Sequence, residues 1–136
     1  MMLRLLLMKN DKILCDLPIS PRDWPEEEFE EEMDSFLEKF ARYSQITEAL
    51  SNLNRLRMLR YLMDEDDFTH SFTDFLRELE MNPKLVREHA VKLREAGYVE
   101  PVGRGKYRLS ERGRILFMTA GLAVMRVVEA LEGEEI

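Results

Sequence analysis

The chain has 136 residues, of which 45% are apolar and 35% are charged. This length suits one domain with extensions, and this apolar fraction excludes a globally disordered chain. A single cysteine, Cys15, excludes a disulfide framework and a zinc site built on a cysteine cluster. No apolar run reaches the roughly 18 residues of a membrane span, and the start lacks the cleavage site of a secretory signal. We therefore expect a cytoplasmic protein without a membrane span.

The net charge of −7 is unevenly distributed along the chain. Residues 1–50 contain 6 basic and 12 acidic side chains, whereas residues 82–114 contain 9 basic and 4 acidic ones. A local basic face on an acidic protein can bind a polyanion. Charge alone favours the alternative, which is a mixed surface that only keeps the protein soluble.

The N-terminal part predicts a β-hairpin. Apolar runs at 2–8 and 12–17 flank Asn10 and Asp11, which tolerate the left-handed backbone of a tight turn. Three prolines then interrupt the chain. The predicted domains are an extension with its linker, 1–22, and a main domain, 23–136.

The next segment predicts one long helix from Asp23 to about Ser51. Asp23 and Glu26 have the spacing of a capping box, and the acidic run that follows suits the positive end of a helix. Apolar residues then recur at steps of four and three, which indicates a seam against a neighbouring helix. These residues are Phe29, Met33, Phe36, Phe40 and Tyr43.

The central part predicts short elements in close succession. From about Asn54 a helix carries leucines on one face, with Arg55, Arg57 and Arg60 on others. A small strand at 68–72 and a short helix at 73–80 follow. Asn82 then caps a helix that Pro83 opens and Gly97 ends. Strands at 98–102 and 106–109, joined by a Gly-Arg-Gly turn, complete this part.

The last helix is apolar nearly all round between Ile115 and Leu131. Such a helix must be buried on every side, and a second copy of the protein is the expected cover. The alternative cover is the chain's own first long helix. The predicted dimer interface consists of Phe36, Phe40, Tyr43, Ile115, Phe117, Met118, Leu122, Met125 and Val128.

Two short helices joined by a tight turn and followed by a basic hairpin form the plan of a winged helix-turn-helix, a mainly α (α+β) fold. Its second helix, 83–96, suits the major groove of DNA, and its wing, 98–109, suits the backbone or the minor groove. Val86, Ala90 and Leu93 form the predicted buried stripe of the helix. The candidate DNA-binding residues are Asn82, Lys84, Arg87, Glu88, His89, Lys92, Arg104, Lys106 and Arg108.

The candidate DNA-binding side chains have different expected roles. The guanidinium of Arg87 can grip guanine with two hydrogen bonds, so Arg87 is the candidate base reader. Lys84 and Lys92 suit phosphates. Glu88 either accepts a hydrogen bond from cytosine or pairs with a lysine four residues away, and we favour the pairing.

Three segments resemble the ArsR-like winged-helix transcriptional regulators. Residues 49–62 resemble the opening "ALSNPTRLRILRLL" of that family, residues 82–99 its recognition helix, and residues 103–113 its wing. The resemblance covers roughly residues 44–132 and implies a homodimer that binds operator DNA and represses transcription. It places His89 near the DNA backbone, and the alternative is a half-buried histidine packed on the adjacent helix.

The chain departs from the family at the sites of metal-sensing members. The helix at 73–80 has no cysteine, and the last helix has no His or Asp, so we expect no metal and no cofactor. Leu53 replaces the usual proline of the opening motif. The hairpin and the acidic helix start are additions that the family does not explain.

No sequence motif supports an enzyme, because the chain has no Gly-rich phosphate loop and no nucleophile elbow. Two hypotheses remain: a dimeric DNA-binding regulator, which we favour, and a winged-helix module that binds protein. The acidic stretch Glu26–Glu38 either contacts a partner such as the transcription machinery or lies against the basic face and weakens non-specific DNA binding.

Overall fold

The computed structural model describes residues 2–133. Its elements follow one another in this order: β1 (Arg4–Lys9), β2 (Lys12–Pro18), α1 (Glu26–Glu38), α2 (Phe40–Glu48), α3 (Leu53–Met63), β3 (Thr69–Ser71), α4 (Phe72–Glu78), α5 (Pro83–Glu95), β4 (Val99–Pro101), β5 (Lys106–Leu109), α6 (Glu111–Leu116), a π-helix (Phe117–Ala123) and α7 (Val124–Gly133).

The chain forms two compact units, Met1–Ala41 and Arg42–Ile136. The predicted division after residue 22 stays a prediction, because a compact unit is defined by contacts and a domain by independent folding. The first unit contains the predicted hairpin, in which β1 and β2 pair antiparallel. Asn10 in its turn has a φ of 53°, which is the left-handed conformation that the Asn-Asp pair favours.

The predicted long helix is two helices, and its predicted start is wrong. Asp23 lies in a single 3-10 turn that the side chain of Ser20 caps, and α1 begins at Glu26 after Pro25 without a side-chain cap. Lys39 then separates α1 from α2 with a φ of −94° and a ψ of 6°. The apolar residues keep their helical spacing across Lys39. The pattern therefore gave no sign that a single residue leaves helical geometry.

The second unit has one core. Its largest fully buried side chains are Tyr98, Phe75, Met58, Leu59, Leu62, Leu93 and Val86. They come from α3, α4, α5 and the start of the wing, so the short elements share one interior. The hydroxyl of Tyr98 donates a hydrogen bond of 2.8 Å to the carbonyl of Ile46, which ties α2 to this core.

Side chains cap the helices of this unit. The side chain of Asn52 accepts bonds from the N–H groups of Asn54 and Arg55 and so starts α3. Asn82 caps α5 with Pro83 as its first residue, as the sequence predicted. These caps satisfy N–H groups that have no partner inside the helix, and they therefore define where each helix begins.

The wing belongs to a three-stranded sheet of order β3-β5-β4. The predicted two-stranded hairpin is β4 and β5, and the predicted small strand is β3, which pairs with β5. His70 of β3 lies opposite Tyr107 of the wing. The α+β winged helix-turn-helix fold predicted from the sequence is confirmed.

The predicted last helix comprises α6, the π-helix and α7 in succession. None of the described residues from Phe117 to Gly133 is buried within the chain. The prediction that a second copy covers this helix stays a prediction. Within residues 2–133, no helix combines the length and the apolar character needed to cross a membrane.

Gly113 sets how closely the last helix approaches the wing. It is buried in α6, and a Cβ at this position would overlap the backbone carbonyl of Tyr98. Gly113→Ala should therefore lower the free energy of unfolding by about 2–3 kcal/mol, since backbone must shift to make room. Urea denaturation measures the loss. Gly133→Ala is the control, because nothing lies near its Cβ, and equal stability of the two variants would contradict the argument.

Candidate nucleic-acid interface

One face of α5 is buried in the core, and the other is exposed. Val86, Ala90 and Leu93 are buried, as predicted, and fix the helix to the core. The candidate contact residues other than His89 are exposed on this helix and its cap: Asn82, Lys84, Arg87, Glu88 and Lys92. The side-chain oxygen of Asn82 accepts a 2.9 Å bond from the N–H of Leu85. That oxygen therefore holds the helix start and leaves only the amide NH₂ for a ligand.

Arg87 is held on the exposed face by an aromatic ring. Its guanidinium carbon lies 5.3 Å from the centre of the Phe72 ring, at the start of α4. A cation over a ring face is attracted to it, which limits the number of arrangements that the long side chain adopts. The two helices of the helix-turn-helix thus cooperate to position the candidate base reader.

The predicted ion pair between Glu88 and a lysine four residues away is wrong. Glu88 forms no ion pair within residues 2–133, and Lys92 instead places its Nζ atom 3.3 Å from Oε1 of Glu48 in α2. Tertiary packing brings Glu48 to Lys92 across 44 positions of sequence, which spacing within one helix cannot show. The Glu48 carboxylate partly neutralises Lys92, whereas Glu88 remains open to a ligand.

His89 lies in the interior and not on the DNA-facing surface. Only 7% of its surface is exposed, which contradicts its prediction as a DNA contact and favours the packed alternative. Its Nδ1 atom lies 3.3 Å from Nη1 of Arg55. Because a guanidinium only donates, Nδ1 accepts and the ring is neutral. Burial, and then the Arg55 charge, lower the pKa of His89.

Arg55 is a structural residue that the sequence analysis missed. It is 4% exposed, although its charge predicted a position away from the core. Its Nε donates a 2.7 Å bond to the carbonyl of Ala49, and its Nη2 donates to the carbonyl and the carboxylate of Glu48. Its spacing to Leu59 and Leu62, of four and seven residues, was the signal that places it on the buried face.

The wing presents two exposed cations at its tip. Arg104 and Lys106 lie in or beside the turn, where Gly103 and Gly105 have φ values of 66° and 70°. These left-handed conformations favour glycine, so the Gly-Arg-Gly sequence shapes the tip. Arg108 differs, because its guanidinium donates two bonds of 2.9 and 2.8 Å to Glu100 on the paired strand.

The geometry thus divides the predicted DNA contacts into three groups. Lys84, Arg87, Arg104 and Lys106 form no ion pair among the described residues, and we call them the basic face. Lys92 and Arg108 are paired with glutamates. His89 is buried. No group of His, Cys, Asp or Glu within residues 2–133 has the arrangement of a metal site.

The predicted dimer residues lie mostly on exposed surface. Large exposed fractions occur at Phe36, Phe40, Tyr43, Ile115, Met118, Leu122, Met125 and Val128. Phe117 differs, because it is half-buried and packs against the core of its own chain. The dimer interface that these residues were predicted to form stays a prediction.

A helix-turn-helix with an attached wing defines the protein as a winged helix-turn-helix. Residues 52–100 match the model of a family described as bacterial regulatory protein, arsR family. That segment runs from the cap of α3 into β4, so this part of the chain is similar to the helix-turn-helix of that family, which supports a DNA-binding transcriptional regulator. The resemblance inferred from the sequence is confirmed there.

Similarity to whole proteins is more distant. A crystal structure of an ArsR family transcriptional regulator is similar with a TM-score of 0.48 and 15% sequence identity. The similarity covers 69% of this chain and 99% of that chain. No curated protein matches the sequence.

The neutral His89 makes stability depend on pH. Its pKa is lowered in the folded state, so the unfolded chain binds the proton more readily. Stability is therefore complete above the unfolded pKa of about 6.5 and falls as the pH decreases below it. His89→Gln should weaken this dependence in urea titrations between about pH 7.5 and 5.5. His70 is present in both proteins, and parallel curves would contradict the assignment.

Proposed function

We propose that the protein is a transcriptional repressor that binds DNA as a homodimer. The observation that carries this proposal is the basic face, whose four cations project from α5 and the wing without an acidic partner among the described residues. Cations with no internal partner are available to phosphates and bases. Repression is the direction of regulation that the family resemblance supports.

The helix α5 is the proposed reader of sequence. Its 13 residues extend about 20 Å, and an α-helix of this kind fits the major groove. Arg87 lies in its N-terminal half, where recognition helices usually meet base edges, and a guanidinium bonds guanine through two N–H groups. Lys84 and the wing cations Arg104 and Lys106 bind phosphates or the adjacent minor groove. Glu88, which forms no ion pair within residues 2–133, accepts a hydrogen bond from cytosine.

The homodimer is supported by the apolar side chains of the last helix, which are exposed from Met118 to Leu131. A single chain leaves these side chains exposed to water. Burying them would stabilise the protein by about 25 cal/mol per Å² of apolar surface. Closed symmetric pairing of two identical chains buries the same patch twice. Two wings and two recognition helices then face one DNA duplex.

The acidic helix is the proposed contact for a protein partner. The range Glu26–Glu38 contains eight acidic residues and no basic one, and none of its residues is buried. We propose that a basic surface of the transcription machinery binds it. Replacing Glu27, Glu28, Glu31 and Glu32 by Gln in the full chain should abolish salt-sensitive binding to RNA polymerase in pull-down assays and leave DNA affinity unchanged. Binding that survives the replacement would contradict the proposal.

A salt series on random duplex DNA tests the basic face. The wild type should lose affinity steeply with salt, and Arg87→Ala/Arg104→Ala should flatten the log–log slope by about one to two, since two positive charges at the DNA surface are lost. Fluorescence anisotropy measures both slopes.

The matched control for this series is Lys9→Ala/Lys12→Ala. It removes the same charge from the exposed hairpin, outside the basic face. Equal slopes for all three proteins would overturn the proposal. Absence of binding at about 50 mM salt would also overturn it and favour the alternative, a winged-helix module for protein partners.

The dimer is tested at Val128, whose side chain is 46% exposed in the single chain. Val128→Asp should produce a monomer, because a carboxylate in a desolvated apolar interface is strongly unfavourable. Sedimentation equilibrium measures the mass, and an unchanged helical circular dichroism spectrum at low temperature shows that the variant chain is folded. Glu129→Ala on the same helix is the control and should remain dimeric. A wild type that sediments as a monomer would refute the dimer.

A further inference from the structure

An apolar groove lies between α3 and the last helix, and none of the four residues of the basic face lines it. Its volume is about 470 Å³, within the usual range of small-molecule sites. Leu53 and Leu56 line one wall, and Phe117, Leu122 and Met125 line the other. All of these residues belong to the second compact unit. The helix α3 therefore has two apolar faces, one in the core and one in this groove.

Two small residues of the π-helix line the groove. These are Ala120 and Gly121, and a Cβ on Gly121 would meet the Phe117 ring at 3.4 Å. A π-helix has less favourable hydrogen bonds than an α-helix and often marks a functional site. Here it brings two consecutive small residues to the wall of the groove.

Two arginines supply all the charge of the groove. Arg57 and Arg60 lie one turn apart on α3, and no carboxylate is among the described residues that line the groove. Arg57 is held in place, because its Nη1 donates to Asn54 Oδ1 at 3.1 Å and its Nη2 to the Leu79 carbonyl at 3.0 Å. Arg60 is exposed and forms no hydrogen bond or ion pair within residues 2–133.

We propose that this groove binds a small anionic amphiphile, with an unbranched apolar body along the leucine and methionine walls and a carboxylate on Arg60 and Arg57. A planar guanidinium matches a carboxylate with two parallel hydrogen bonds. The other lining side chains are apolar, so a sugar or nucleotide would lose hydrogen bonds to water without replacing them. A cation would meet two like charges.

The ligand contacts residues that also belong to the predicted dimer interface, namely Phe117, Leu122 and Met125. Its binding site therefore overlaps the surface through which the proposed homodimer forms. A second copy that fills the groove is the competing occupant, and the experiment must distinguish the two. The binding itself does not depend on DNA recognition.

Isothermal titration calorimetry of the full chain with decanoate, below its micelle concentration, tests the proposal. Decanoate should bind once per chain, and each methylene removed from it should weaken binding about two- to fourfold, because buried CH₂ groups contribute roughly equally. Decan-1-ol, with the same body and no charge, should bind at least about tenfold more weakly.

Two variants distinguish the contribution of the carboxylate from that of the apolar chain of the ligand. Arg60→Gln should weaken decanoate at least about fivefold and leave decan-1-ol unchanged, since only the charged contact is lost. Ala120→Phe fills the groove and should weaken both. Arg126→Gln, an exposed arginine of α7 outside the groove lining, is the control and should change neither. Circular dichroism melting confirms that the variants are folded.

Three results would overturn the proposal. The first is no heat of decanoate binding at two different temperatures, since the heat of apolar burial can vanish at one temperature but not at both. If Ala120→Phe then changes dimer dissociation, a second copy fills the groove. The second is an Arg60→Gln variant that binds decanoate as well as the wild type. The third is non-saturating uptake of many molecules per chain, which indicates detergent-like association.

Discussion

The buried guanidinium of Arg55 holds together the helices on which the candidate interface depends. It donates to the carbonyls of Glu48 and Ala49 at the end of α2, and it meets the ring of His89 in α5. The last carbonyls of a helix have no partner within it, and a cation satisfies them and the helix dipole together. Since a buried charge without partners is strongly unfavourable, these contacts must form together.

This arrangement explains why α5 can present a charged face. A recognition helix must be rigid, because a cation that moves with its helix cannot select a base edge. The side of α5 that bears Val86 and Leu93 is fixed by packing, and His89 extends the same side towards Arg55. Arg87 is then free to project from the opposite side, with the Phe72 ring limiting its motion.

The distribution of exposed apolar surface supports the proposed association with a partner. Large apolar side chains are exposed along the hairpin, along α1 and along the whole of the last helix. An isolated two-stranded hairpin is only marginally stable in water. A helix that is apolar on every side is normally buried against other protein surface. The core of the second unit accounts for the winged helix alone, and these other surfaces are where we propose that partners and a ligand bind.

Local patterns determined the order and type of most elements. The Asn-Pro pair at 82 and 83, the glycines of the wing tip and the stepping of Val86, Ala90 and Leu93 each specify backbone geometry or burial within a few residues. Such signals depend on dihedral preferences and helical periodicity, which act locally. The winged fold and the exposed basic residues Arg87 and Arg104 follow from them.

Only the tertiary structure decided which charged residues are free. Lys92 and Arg108 are paired with Glu48 and Glu100, which lie 44 and 8 positions away. His89 and Arg55 are inside because each completes the hydrogen bonds of the other. Coulombic and hydrogen-bond partners depend on distance in space, and burial depends on all elements that cover a residue. The periodicity of a helix can indicate its buried face, as it does for Arg55, but it does not contain the partner of a charge. The sequence therefore determined the elements, and packing selected the charged side chains left for a ligand.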